Sequence, residues 1–207
     1  IGTTAVMARD PRLRAELVTQ EGGTTLTEAA VARGLRWLSM HQNEDGSWSI
    51  RGFQHAAGCS CGGNGATNHK SPGTALALLP FLGAGQTHLV GRYKHNVSRG
   101  LRWMLDHQGD DGDLRAGATD NTGMYTHGQA TIVLCEAFAM TGDEKLRIPA
   151  QKAIDFICKA QYTDGGWRYQ PTPRTQPGDT SVVGWQLMAL QSARAANLTV
   201  PEETLLM

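Results

Sequence analysis

Arg33-Gly34-Leu35-Arg36-Trp37-Leu38, followed by Gln42, Asp45-Gly46 and Trp48, is the stretch on which the reading of this chain turns. It recurs without gaps. Arg99-Gly100-Leu101-Arg102-Trp103-Met104 leads to Gln108, Asp111-Gly112 and Leu114, and Lys152-Ala153-Ile154-Asp155-Phe156-Ile157 leads to Gln161, Asp164-Gly165 and Trp167. Within each copy the apolar positions, such as Val31, Leu35 and Leu38, fall at helical spacing, so each copy predicts an amphipathic helix closed by an Asp-Gly turn. The Gln is placed to bond orphan backbone groups around that turn. The Trp is placed to fold back over the helix end as a lid.

A second, more apolar segment follows each turn, at about 73–83, 126–141 and 180–194. A helix that is apolar all round has to be surrounded, so these three form an inner layer and the amphipathic ones an outer layer. The expectation is an all-α chain of αα-hairpins at about 27–85, 95–142 and 146–195, in one domain over residues 1–207. Pro201-Glu202-Glu203 reads as the first turn of a further helix, and the chain as a piece of a longer one.

Composition narrows the function classes. Nineteen Lys and Arg against nineteen Asp and Glu leave no net field to attract nucleic acid. The longest uncharged apolar stretch, Thr74 to Gly85, is too short to span a bilayer, and residues 1–20 lack the apolar centre of a signal peptide. The four cysteines do not form a disulfide framework, and Cys135 and Cys158 sit in apolar helical patterns as small core residues.

The pattern Arg-Gly-x-x-Trp-Leu-x-x-x-Gln-x-x-Asp-Gly-x-Trp at 33–48 resembles the QW repeat of the squalene–hopene cyclase family, and it runs through residues 27–194. That superfamily also holds the protein prenyltransferases. The resemblance implies an α/α toroid, a double ring of inner and outer helices around a cavity that takes isoprenoid substrates. It further implies an acid motif, Asp-x-Asp-Asp-Thr-Ala, at the start of an inner helix, where this chain has Gln176-Pro177-Gly178-Asp179-Thr180-Ser181. Gly178 stands where those cyclases carry their proton donor, which leaves Asp179 as the remaining catalytic candidate or as an N-cap of the third inner helix. Prenyltransferases hold zinc with an Asp-x-Cys pair and a His; the pair falls here on Asn68 and Lys70, while the His matches His127. His127 is thus a second catalytic candidate, or a satisfied polar group.

The loop before the first inner helix carries its own chemistry. His55, Cys59, Cys61 and His69 lie around Gly58-Cys59-Ser60-Cys61-Gly62-Gly63, and ligand types of this softness suit zinc. His127 is an alternative fourth ligand, and two free thiols or a redox pair are the alternatives to a metal. Asp110, Asp111 and Asp113 are read as a turn residue with solvent-facing neighbours. Trp185 and Tyr125, on inner helices, are candidate ligand-binding residues, while Trp167 belongs to packing. Two functions follow: a toroid domain binding an isoprenoid, lipid, peptide or other apolar partner on its concave face, or an isoprenoid-processing enzyme, a cyclase or transferase, completed by residues elsewhere.

Overall fold

In the computed structural model, residues 11–172 and 177–206 are described; Gln176 of the acid-motif segment lies outside them. The helices run α1 (Pro11–Gln20), α2 (Thr25–Met40), α3 (Gln54–Ala57), α4 (Lys70–Gly83), α5 (Lys94–Asp106), α6 (Gly123–Thr141), α7 (Glu144–Lys159), α8 (Thr180–Ala195) and α9 (Glu202–Leu206). No strand occurs among the described residues. The outer helices are α2, α5 and α7, and the inner ones are α4, α6 and α8. No described helix is long and apolar enough to cross a membrane.

The inner helix α6 packs against α4, α7 and α8. Residues 126–135 are buried without a break, which is why their sequence shows no polar face. Two inner helices start three residues earlier than their apolar pattern, at Lys70 and Gly123. Pro72 falls in the first turn of α4, where a missing backbone N–H costs nothing. One hydrophobic cluster joins the three hairpins, from Leu35 through Leu78, Val133 and Ile154 to Leu190 and Leu198.

The repeat turn does more than reverse the chain. Gln42 donates to Gly46 O at 2.8 Å in its own turn, and Gln108 and Gln161 do the same to Gly112 O and Gly165 O at 3.3 and 2.9 Å. Each amide also donates to the backbone of the next repeat or helix: Gln42 to Asn96 O, Gln108 to Pro149 O and Gln161 to Thr204 O, all at 2.9 Å. The glycines are needed for a matching reason. Gly46 and Gly112 have φ of +93° and +95°, and a Cβ on them would stand 2.7 Å from Arg99 O and 2.1 Å from Lys152 O. The first two turns are therefore docked on the following outer helices, α5 and α7.

The lids behave as their chemistry requires. Trp48 and Trp167 are buried, and their indole N–H groups donate to Leu38 O and Ile157 O at 2.7 and 2.8 Å, carbonyls in the last turns of α2 and α7 that otherwise take only the shared cap amides of His41 and Ala160, at 3.1 Å each. Gly100 makes room for the first lid, since a Cβ there would lie 2.8 Å from Trp48 Cζ3. Cys135 is buried and Cys158 half-buried; burial raises the pKa of both thiols.

Candidate ligand site

Two features of the inner layer could receive a ligand: a polar mouth at the N-terminal ends of α6 and α8, and a groove farther along the same two helices. At the mouth, Asp179 is the N-cap of α8 and accepts from the Ser181 and Val182 amides at 3.0 and 3.4 Å. It also accepts from the Ser181 hydroxyl and, at 3.1 Å, from Tyr169 Oη. The Ser181 hydroxyl bond, the largest influence, holds its carboxyl below the usual range against desolvation, with a further contribution from Tyr169. The Tyr169 hydroxyl is pushed up in turn, chiefly by that bond to Asp179. Tyr125 stacks on Tyr169 with ring centroids 6.1 Å apart, and its hydroxyl bonds to Ser181 Oγ. Arg168 lies over the Tyr169 ring at 5.0 Å.

The groove follows from the helical register. Tyr125, Gln129, Ile132 and Glu136 recur along one side of α6 at helical spacing, and two of them reach α8, Tyr125 at Ser181 and Glu136 at Ser192. Across from them, α8 buries Val182, Gln186, Ala189, Leu190 and Ala193 and leaves Leu187 and Met188 40% and 47% exposed. Ile132, Glu136, Leu187, Met188, Gln191 and Ser192 line a pocket of about 390 Å³. Close approach of the helices depends on Gly128, where a Cβ would meet Gln186 Nε2 at 2.9 Å and Trp185 Cβ at 3.1 Å. Trp185 is half-buried and packs against the core beside that glycine.

His127 is placed differently from a ligand-facing residue. It is fully buried; the Leu114 amide donates to its Nδ1 at 3.1 Å and its Nε2–H donates to Ala153 O at 3.0 Å. Desolvation lowers its pKa to about 4, so it is a neutral bridge from α6 to α7 with both nitrogens occupied. Asp113 is not simply turned to solvent as its sequence context suggests. It forms a two-oxygen ion pair with Arg115, closest at 2.8 Å, and accepts the Arg115 amide; Arg115 also reaches Gln170 and the Phe156 ring. Asp110 is exposed and Asp111 caps its own turn through the Asp113 amide.

The structure divides the soft-ligand loop in an unforeseen way. His69 stands at the N-cap position of α4 without a side-chain bond to the helix and points to Asp120, with Nε2 to Oδ2 at 3.4 Å, and His55 is exposed on α3. Neither joins the thiols. His41 does: its Nε2, Cys59 Sγ and Cys61 Sγ all lie within 4.8 Å of one another. The signal available in the sequence was the repeat itself, because His41 follows Trp37 by four residues as His107 follows Trp103, and the loop then delivers two cysteines to the first of these histidines alone. A pocket of about 230 Å³ lies alongside, lined by Trp37, Leu38, His41, Phe53 and Leu76 among others.

Inner and outer helices paired in repeated αα-hairpins define the α/α-toroid class. The family model for the squalene-hopene cyclase C-terminal domain matches residues 16–129, more than half of the chain, and the chain belongs to that family. The model for pectic acid lyase also matches, over residues 91–177. No curated protein and no solved structure matches the chain significantly.

Proposed function

We propose that this toroid domain binds an extended apolar chain of isoprenoid type in the groove between α6 and α8, and that it does so without cyclising it. The observation that carries the reading is the exposure of Leu187 and Met188 on a helix whose other side is core, facing Ile132 across a pocket large enough for a hydrocarbon segment. Glu136, Gln191 and Ser192 at one end and Tyr125 with Ser181 at the other would hold a polar head group. Against catalysis by a proton donor stand Gly178 and the state of Asp179, an ionised cap whose oxygens accept from two amides and two hydroxyls.

A second reading rests on the pectic acid lyase match, which spans the mouth residues Tyr125, Arg168 and Tyr169. An anionic sugar chain would meet Arg168 over the Tyr169 ring. One experiment separates the readings: titration with a fluorescent farnesyl probe and, in parallel, with oligogalacturonate. Binding of the farnesyl probe that a Leu187→Glu, Met188→Glu double variant weakens about tenfold or more, a loss of about 1.4 kcal/mol, with an unchanged circular dichroism spectrum, supports the groove. Binding of oligogalacturonate alone, lost in Arg168→Ala, supports the second reading. Conversion of squalene to a cyclic product by the purified chain would overturn the non-catalytic assignment.

A further inference from the structure

His41, Cys59 and Cys61 lie outside the groove, and neither family match assigns them a role. His41 is 2% exposed. Its Nδ1 lies 2.7 Å from Trp37 O, and since a carbonyl only accepts, the proton sits on Nδ1. Nε2 therefore presents its lone pair, and it does so 3.1 Å from Cys59 Sγ. A backbone carbonyl that fixes the tautomer in this way is the usual outer support of a metal-bound imidazole. Trp37 adds a restraint by stacking on the His41 ring at 4.0 Å. Phe53 closes the other side, with its ring 5.5 Å from that of His41.

The second repeat supplies an internal comparison. His107 Nδ1 lies 2.7 Å from Trp103 O and its ring stacks on Trp103 at 4.1 Å, the same arrangement carried out to solvent without thiols. The orientation of His41 is thus a property of the repeat, and the first repeat alone adds the loop that brings in Cys59 and Cys61. Otherwise that loop is held by a few bonds at its edges, such as the Gly65 amide to Ile50 O at 3.2 Å and the Gly52 amide to Asn64 Oδ1 at 3.0 Å. None of residues 58–69 is buried, and glycine stands at 58, 62, 63 and 65. Fixing such a segment costs backbone entropy at every residue, which metal–thiolate bonds can offset.

We infer that His41 Nε2, Cys59 Sγ and Cys61 Sγ form a zinc site, with water in the fourth position of a tetrahedral set. Zinc takes imidazole nitrogen at about 2.0 Å and thiolate at about 2.3 Å, which sets tetrahedral neighbours about 3.5 to 3.8 Å apart. The three ligand atoms, within 4.8 Å of one another and with His41 Nε2 3.1 Å from Cys59 Sγ, bracket that spacing. On binding, the two thiols release their protons to solvent and no redox partner is required. The site is independent of the groove reading, and its test does not involve a groove ligand.

The experiment is metal analysis of tag-free protein, reduced and dialysed against zinc and then against metal-free buffer, alongside cobalt substitution followed by visible absorption. The expected result is about one zinc per chain, and cobalt bands of a tetrahedral thiolate site with sulfur-to-metal charge transfer. His41→Ala and the Cys59→Ser, Cys61→Ser double variant should lose both signals, with the helical circular dichroism spectrum retained. His107→Ala, His69→Ala and His55→Ala should keep them. Retention of metal by His41→Ala, or its loss in His69→Ala or His55→Ala, overturns this ligand set. Reduced wild-type protein that takes up neither zinc nor cobalt overturns the site, and that readout needs no variant to fold.

Discussion

The side-chain amide of Gln42 donates to the backbone carbonyl of Asn96 at 2.9 Å, across 54 positions of sequence. The Asn96 side chain returns the contact, donating to Gln42 Oε1 at 2.8 Å. This pair makes the first turn and the second outer helix one hydrogen-bonded unit. Gln42 is 9% exposed, so water does not substitute freely when the amide is removed. Gln42→Ala is expected to lower stability by about 1 to 2 kcal/mol without changing the fold, the size of one or two net hydrogen bonds. Chemical denaturation checks it; an unchanged midpoint would remove the inter-repeat role.

The glycines of the turns can be ranked against a control. Gly22 has φ +82° and open space at its Cβ position, so Gly22→Ala meets backbone strain alone, about 1 to 2 kcal/mol. Gly46→Ala and Gly112→Ala meet the same strain and a backbone carbonyl at 2.7 and 2.1 Å. Thermal melts should place the variants in the order Gly22, Gly46, Gly112, from mildest to most severe. Equal effects at all three positions would mean that docking on the next helix contributes nothing.

His127 predicts a pH dependence with a definite sign. Burial lowers its folded pKa to about 4 from 6.5, outweighing the Ala153 carbonyl and Asp113, which act in the opposite direction. The unfolded chain therefore binds the proton more tightly. Stability from this group is complete above about pH 6.5 and is lost as pH falls toward 4, by roughly 3 kcal/mol in all. Unfolding free energies measured from pH 7.5 to 4 should show this slope, and His127→Gln should flatten it while lowering stability at pH 7. A wild-type slope that persists unchanged in the variant would place the titrating group elsewhere.

How far these features could be read in advance depends on how local they are. Gln42, Asp45-Gly46 and Trp48 lie within a few residues of the helix they close, and the unbroken apolar run of α6 shows directly that the helix is enclosed. The fold was legible for that reason. The partners Asn96, Pro149 and Thr204 were not, because they depend on how one hairpin sits on the next. The soft ligands show the same limit: Cys59 and Cys61 stand out in sequence, but the choice of His41 over His55 and His69 is made by the path of a glycine-rich loop whose φ values at Gly52, Gly58 and Gly63 are all positive. The pairing of Asp113 with Arg115 spans only two residues, but an acidic run beside an Asp-Gly turn carries the same pattern as a solvated face, and only the fold turns both side chains toward each other.

The groove is tested most directly by photo-crosslinking a diazirine-bearing farnesyl probe to the purified chain and mapping the adducts by mass spectrometry. The account predicts labelling of the peptides that carry Ile132 and Glu136 on α6 and Leu187, Met188 and Gln191 on α8, competed by unlabelled farnesol. Labelling confined to other surfaces, or spread over the chain without competition, would contradict it.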